Sequence, residues 1–368
     1  MDGLRVALFA AAFPPAIGGI ERFCEVLANW LTEAGHEVRV LTPTPADSDY
    51  DRRFPFEVTR RPGFTDMVRA ARHAEAVHVK SLSSRAVAAT TLAGHRAVIT
   101  HAHHQAICPV ETAWGEGGVC TAGPGSPGPC PTCPSQGPRA YWDLRRQRSA
   151  ALVARRNVCI SDYLKDRLGL PRSVTVFNPV EERAFAAGEP DAEREGDLIA
   201  FAGRLSLPKG LHLLIEAVSR LPGIRLEVAG DGPARAQWES LARDLGVANR
   251  VQFLGSLDFG SVAALYRRAG VVCVPSIWQE PFGYSVAEAM AMGCAVVGTP
   301  SGAIPELLAG GRGHVSADLS AAALSEALAT VLADDRRRPL MGRRARDYAL
   351  ENLRLDVIGP SYLALYRS

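Results

Sequence analysis

Short apolar runs alternate with amphipathic stretches along most of this 368-residue chain. Leu4–Ala10 is an unbroken apolar run of strand length. Ile20–Thr32 carries Phe23, Val26, Leu27, Trp30 and Leu31 on one stripe at helical spacing. Gly35 stops that helix, and Val38–Thr42 reads as the next strand. Strand-like runs recur at Ala76–Val79, Ala97–Thr100, Val158–Ile160 and Val174–Phe177. Continuous apolar strands separated by helices predict a parallel sheet covered on both faces.

The pattern breaks at Glu181–Gly196, an acidic stretch with Gly188, Pro190 and Gly196 that reads as a linker. It then restarts with strands at Leu198–Ala202, Arg225–Ala229, Val251–Leu254, Gly270–Val274 and Ala295–Gly298. Helices are predicted between them at Gly210–Arg220, Ala234–Leu245, Ser261–Arg268 and Tyr284–Met292. The chain is therefore expected to form two doubly wound, Rossmann-like α/β domains, 1–180 and 197–350, joined by 181–196. A final helix within 353–368 is expected to return to the first domain. Parallel sheets bind ligands at the carboxyl ends of their strands, so a deep cleft between the domains is the expected site.

Composition adds exclusions. Formal net charge is +2 with 22% charged residues, which points away from nucleic acid. No apolar run approaches a membrane span, and the first residues show no signal-peptide pattern, so a cytoplasmic protein is expected. Only three lysines occur, Lys80, Lys165 and Lys209, in a chain whose other cations are arginines.

The candidate chemistry lies in loops after strands. Gly203-Arg204-Leu205, followed by Lys209-Gly210, places a planar fork and a point charge in one strand-to-helix turn, suited to phosphate oxygens. Gly18 and Gly19 open the first helix, where N–H groups can face a phosphate or a sugar. Gly230, in Gly230-Asp231-Gly232-Pro233, follows a strand, and is read either as lining a nucleotide base or as turn chemistry alone. Glu280 and Glu288 bracket Phe282-Gly283-Tyr284 at the start of an alanine-rich helix. One carboxylate at such a turn can accept from sugar hydroxyls and the other can reach a second ring, with backbone N–H groups between them.

Together with Ile160-Ser161-Asp162 and Asn178, these segments resemble glycosyltransferase family 4, retaining nucleotide-sugar transferases of GT-B fold with a Glu-x7-Glu motif. The resemblance implies roles. Arg204 and Lys209 would neutralise the leaving diphosphate, Glu280 would contact the donor sugar and Glu288 the ribose. Phe282, Gly283 and Tyr284 would offer backbone N–H groups, and Gly19 would meet the phosphate. With fixed cations and a helix N-terminus on the diphosphate, catalysis would need no divalent metal, and no second catalytic carboxylate would be needed, because the leaving phosphate oxygen takes the acceptor's proton. The donor would be UDP- or GDP-linked and the acceptor a hydroxyl, on a small metabolite or natural product. A phosphorylase, an epimerase or a non-catalytic nucleotide-sugar binder are the alternatives. Two features depart from the family: Asn178 precedes Pro179 rather than glycine, and Thr100 is followed by His101-Ala-His103-His104. His103, then His101, is favoured as the sugar-contacting histidine. Cys108, Cys120, Cys130 and Cys133 fall in a proline- and glycine-rich loop. The Cys130-Pro-Thr-Cys133 pair suits structural zinc, with unliganded thiols the alternative. Cys24, Cys159, Cys273 and Cys294 lie in apolar elements and are expected in the core.

Overall fold

A computed structural model describes residues 3–16, 18–108, 114–115, 118–119, 138–188 and 193–368. They form two compact units, 1–179 with 355–368, and 180–354.

The strands, in chain order, are β1 (Arg5–Ala10), β2 (Glu37–Thr42), β3 (Glu57–Arg60), β4 (Ala76–Lys80), β5 (Val98–His101), β6 (Trp114–Gly115), β7 (Gly118–Val119), β8 (Arg156–Cys159), β9 (Ser173–Thr175), β10 (Glu195–Ala202), β11 (Arg225–Ala229), β12 (Val251–Gly255), β13 (Ala269–Val274), β14 (Val296–Gly298) and β15 (His314–Val315). The first unit holds a parallel sheet ordered β3-β2-β1-β4-β5-β8-β9. The second holds one ordered β12-β11-β10-β13-β14-β15, also parallel. Every residue of β13 is buried, and so are the last five of β1. Cover on both faces is why these strands lack polar alternation.

The first helix, Gly19–Glu33, buries Phe23, Leu27 and Leu31 of its predicted stripe. They join Leu8, Phe13, Val40 and Tyr362 in the core of the first unit. Tyr362 belongs to the last helix, Leu355–Arg367, which packs on the first helix and on β4. Gly359 lets it approach closely, since a Cβ there would lie 2.5 Å from the Trp30 ring. The core of the second unit gathers Ile199, Leu214, Val228, Trp238, Val271 and Leu328.

The expected linker needs correction. Its start is a short helix, Glu182–Ala186, and its end already belongs to β10. Ala184 and Phe185 are buried, and Arg346 donates to Phe185 O at 3.0 Å. The acidic neighbours had masked these two apolar residues. β3 was not anticipated either: it is an edge strand with three half-buried residues and one exposed, so it carries little apolar signal.

Candidate functional site

In the second unit the loop after β10 lies directly on the turn after β11. Gly203 N donates to Ala229 O (3.0 Å), Leu205 N to Asp231 O (2.9 Å) and Ala234 N to Leu205 O (3.0 Å). Gly230 has φ +141, and a Cβ on it would sit 1.9 Å from Gly203 O. The Gly-Asp-Gly-Pro turn thus braces the backbone of the loop that carries Arg204, whose side chain is exposed.

Lys209 ends a single 3-10 turn, Leu207–Lys209. Ile277 N donates to Pro208 O at 2.9 Å, tying that turn to the segment leading into Glu280. As a result Lys209 Nζ donates to Glu280 Oε1 at 2.6 Å, across 71 residues of chain. Ser276 Oγ donates to the same oxygen at 2.8 Å. Glu280 is 6% exposed. Both bonds go to Oε1, and among the described residues none goes to Oε2, which is left to accept from a ligand hydroxyl. Lys209 Nζ also lies 5.4 Å from the centre of the Trp278 ring.

Glu280 is fixed from behind. Ala303 N donates to its carbonyl at 2.9 Å, and Ser301 Oγ donates to Trp278 O at 2.8 Å. Gly302 has φ +60, and a Cβ there would fall 2.4 Å from Glu280 N. The helix Tyr284–Ala291 follows, with Gly283 as N-cap and no side-chain cap. A helix opened this way presents its first amides and the positive end of its dipole. Phe282 is 2% exposed and meets Tyr284 edge to face at 5.2 Å. Glu288, one turn further on, is half-buried. Burial, and after it the Glu288 charge, holds the Tyr266 phenol well above its ordinary pKa.

In the first unit, Gly18 and Gly19 are exposed at the start of the first helix. His103 is half-buried in a bend after β5. His101 requires correction as a sugar-contacting candidate. It closes β5 and is fully buried, with Nε2 2.8 Å from Asn157 Oδ1. Asn157 Nδ2 donates to Ala151 O and Pro171 O, so its Oδ1 must accept and His101 Nε2 carries the proton. Burial pushes the His101 pKa down to about 4. This interior placement leaves His103 as the candidate nearer the surface. Cys24, Cys159, Cys273 and Cys294 are buried free thiols, and Cys108 is buried. The other proposed zinc ligands, Cys120, Cys130 and Cys133, lie outside the described residues. No group able to hold a metal ion occurs among the described residues.

Sequence reasoning missed Lys80. It is 1% exposed, its Nζ donates to Asn178 Oδ1 at 3.2 Å, and it stands 3.5 Å from the Phe23 ring centre. Burial lowers its pKa to about 7. The scarcity of lysine in an arginine-rich chain was the available signal. Ser276 and Trp278 were missed because nothing local marks a serine four residues, or a tryptophan two residues, before a glutamate.

Residues 17–180 match the Glycosyltransferase Family 4 domain, and residues 184–348 match the domain of Glycosyl transferases group 1. Together the two domain matches, one in each half of the chain, support a glycosyltransferase of the family 4 type. It is 35% identical over 190 residues to a D-inositol 3-phosphate glycosyltransferase of Corynebacterium kroppenstedtii, covering 48% of this chain and 42% of that protein. It is 32% identical over 179 residues to the lipopolysaccharide core biosynthesis glycosyltransferase LpsE of Rhizobium meliloti, covering 48% and 52%. The chain thus spans about half the length of the curated relatives it matches. In fold it is similar to Anabaena HepE, solved in complex with UDP, with a TM-score of 0.75 at 17% identity over 98% of this chain and 99% of that one. The architecture of this family 4-like chain is therefore GT-B, two Rossmann-like domains with parallel sheets. Among its described residues no helix is long and apolar enough to cross a membrane.

Proposed function

We propose that this chain is a retaining glycosyltransferase that moves a sugar from a nucleoside diphosphate sugar, UDP- or GDP-linked, to a hydroxyl acceptor. The observation that carries the reading is the Lys209–Glu280 pair at 2.6 Å, beside an uncapped helix start. It joins a cation suited to diphosphate to a carboxylate with one oxygen left for sugar hydroxyls. When the bond between the anomeric carbon and the diphosphate breaks, negative charge grows on the leaving oxygen. Lys209, Arg204 and the backbone N–H groups of Phe282, Gly283 and Tyr284 are the groups assigned to stabilise it. In a same-face transfer that oxygen takes the acceptor's proton as the new glycosidic bond forms, and the anomeric configuration is kept. Glu280 Oε2 would orient the sugar, Glu288 would read the ribose, and His103 is the histidine assigned to the sugar. The curated relative that uses D-inositol 3-phosphate lends support to a small hydroxyl acceptor.

The test is thermal unfolding with UDP, GDP, ADP, CMP and dTDP. A nucleotide at about a hundred times its dissociation constant adds roughly 2.7 kcal/mol, which raises Tm by several degrees. One nucleotide should do so selectively, and Lys209→Ala and Arg204→Ala should each shrink the rise measured from their own baselines. No rise with any nucleotide, or rises untouched by both substitutions, overturns the reading. Proton NMR of the anomeric signal in the product then decides retention against inversion.

A further inference from the structure

The first unit contains a cavity of about 410 Å³ at the carboxyl ends of β1, β2 and β4. In the strand order β3-β2-β1-β4, the chain winds one way from β1 and the other way from β4, so this is the switch point of the sheet. Phe9, Leu41, Pro62 and Met67 give it apolar walls. Three polar features break that wall. Arg61 and Arg85 line it, and among the described residues neither guanidinium makes a hydrogen bond or ion pair. Ser83 and Ala86, at the start of the helix Ser84–Leu92, stand at its edge, with Ala86 N donating to the capping Ser83 Oγ at 3.3 Å. Ser81 is 1% exposed, and its Oγ has no hydrogen-bond partner among the described residues. A buried hydroxyl is costly unless something bonds to it.

The backbone points the same way. Arg61 (φ +49) and Ser81 (φ +64) are two of the three non-glycine residues with left-handed backbone among the described residues, and both belong to this wall. Such conformations are unfavourable for side chains other than glycine and concentrate where a ligand is held. Arg61 is kept in place by its own amide, which donates to Thr42 O at 2.8 Å. Its neighbour Arg60 shows the contrast, since that guanidinium is spent on Asp51 and on the carbonyls of Thr44 and Pro14.

We propose that this cavity binds an amphipathic anion, an apolar body ending in a phosphate or carboxylate, with Arg61 and Arg85 on the charge and Ser81 Oγ bonded to a polar atom of the ligand. That defines the class of acceptor for the transferase reading above, on which the word acceptor rests. The binding itself does not require turnover.

The experiment is calorimetric titration of the full chain with octyl phosphate, below its micelle concentration, against 1-octanol as the neutral counterpart. Octyl phosphate should bind at least about tenfold more tightly than octanol, since a charge-assisted hydrogen bond to a guanidinium is worth that much. Arg61→Gly, which suits the left-handed backbone, and Arg85→Ala, on an exposed helix turn, should each weaken octyl phosphate by about tenfold and leave octanol unchanged. Equal affinity for the two probes, no binding of either, or wild-type affinity in both variants overturns the proposal. Co-sedimentation with phosphatidic acid vesicles, in addition to octyl phosphate binding, supports a lipid-borne anion. Octyl phosphate binding without co-sedimentation supports a free one. UDP titrations of the same protein are read separately: if nucleotide binding fails while octyl phosphate binds, the transferase reading falls and this site stands.

Discussion

Glu280 is central to the proposed chemistry of the second unit, and its two oxygens are placed differently. Oε1 is held by Lys209 and Ser276, and the side chain is 8% exposed against 31% for Lys209. Attraction between the partners is therefore only partly screened. Glu280→Gln keeps the shape, weakens the hold of Lys209, and changes what the free oxygen offers a sugar hydroxyl. We expect kcat/KM to fall by about 10- to 100-fold, the worth of a hydrogen bond to a charged group. Steady-state kinetics checks this, and an unchanged kcat/KM would remove Glu280 from the site. The carboxylate and the lysine were both legible as candidates from their turns. Their pairing was not, because local pattern carries no information about a partner 71 residues away.

Between neighbouring elements, support comes from backbone packed on backbone. The turn after β11 lies so close to the loop after β10 that a side chain at Gly230 would strike Gly203 O. Gly230→Ala should displace the Arg204 loop, cost roughly 1–3 kcal/mol of stability, and weaken nucleotide binding more than Gly223→Ala. Gly223 also has a left-handed backbone, at φ +79, but nothing lies within 4 Å of a Cβ there. Chemical denaturation and nucleotide titration of both variants check it: equal losses in stability and binding would show that only the positive φ matters. The sequence left two uses open for this turn, lining a base or turn chemistry alone, and the packing shows it braced against the loop that carries Arg204. The last helix illustrates the other limit. Its existence was legible, but its docking depends on Tyr366 OH meeting His78 Nδ1 at 2.7 Å and on Tyr362 OH meeting Thr100 Oγ1 at 3.1 Å. Those contacts span 288 and 262 residues, and no local pattern records them.

For the molecule as a whole, the buried titratable groups of the first unit set a dependence on pH. Burial pushes the His78 pKa down to about 3 and that of His101 to about 4, from 6.5. Below pH 6.5 the unfolded chain therefore binds protons that the native one refuses, and stability is lost as pH falls from about 6.5 to about 4 for His101 and to about 3 for His78. Lys80 acts in the alkaline range. Its native pKa of about 7 lies under the ordinary 10.5, so between these values the unfolded lysine keeps a proton that the native one has released. Its contribution to stability rises with pH across that window. Each group changes stability by on the order of 1 kcal/mol per pH unit within its own range. Urea unfolding between pH 4 and 10 should show the acid loss, and Lys80→Met should flatten the alkaline rise. A profile identical in Lys80→Met would show that this lysine stays charged in the native chain.

Two parallel α/β units and the loops that hold the candidate residues were readable from residue order alone, because unbroken apolar runs, helical stripes and glycine turns act within about ten residues. The linker was misread because two apolar residues hidden among charges find partners far along the chain. From sequence, His101 is the second choice for the sugar-contacting histidine, because strand ends look alike until neighbouring strands close over them. β8 lies beside it, with Cys159 opposite His101 in the register and Asn157, opposite Ile99, bonded to its Nε2. The oxygen of Glu280 without a partner among the described residues, the buried amine of Lys80, and the cavity shared by Arg61, Arg85 and Ser81 all came from long-range packing, which decides which polar groups are satisfied and which are left over.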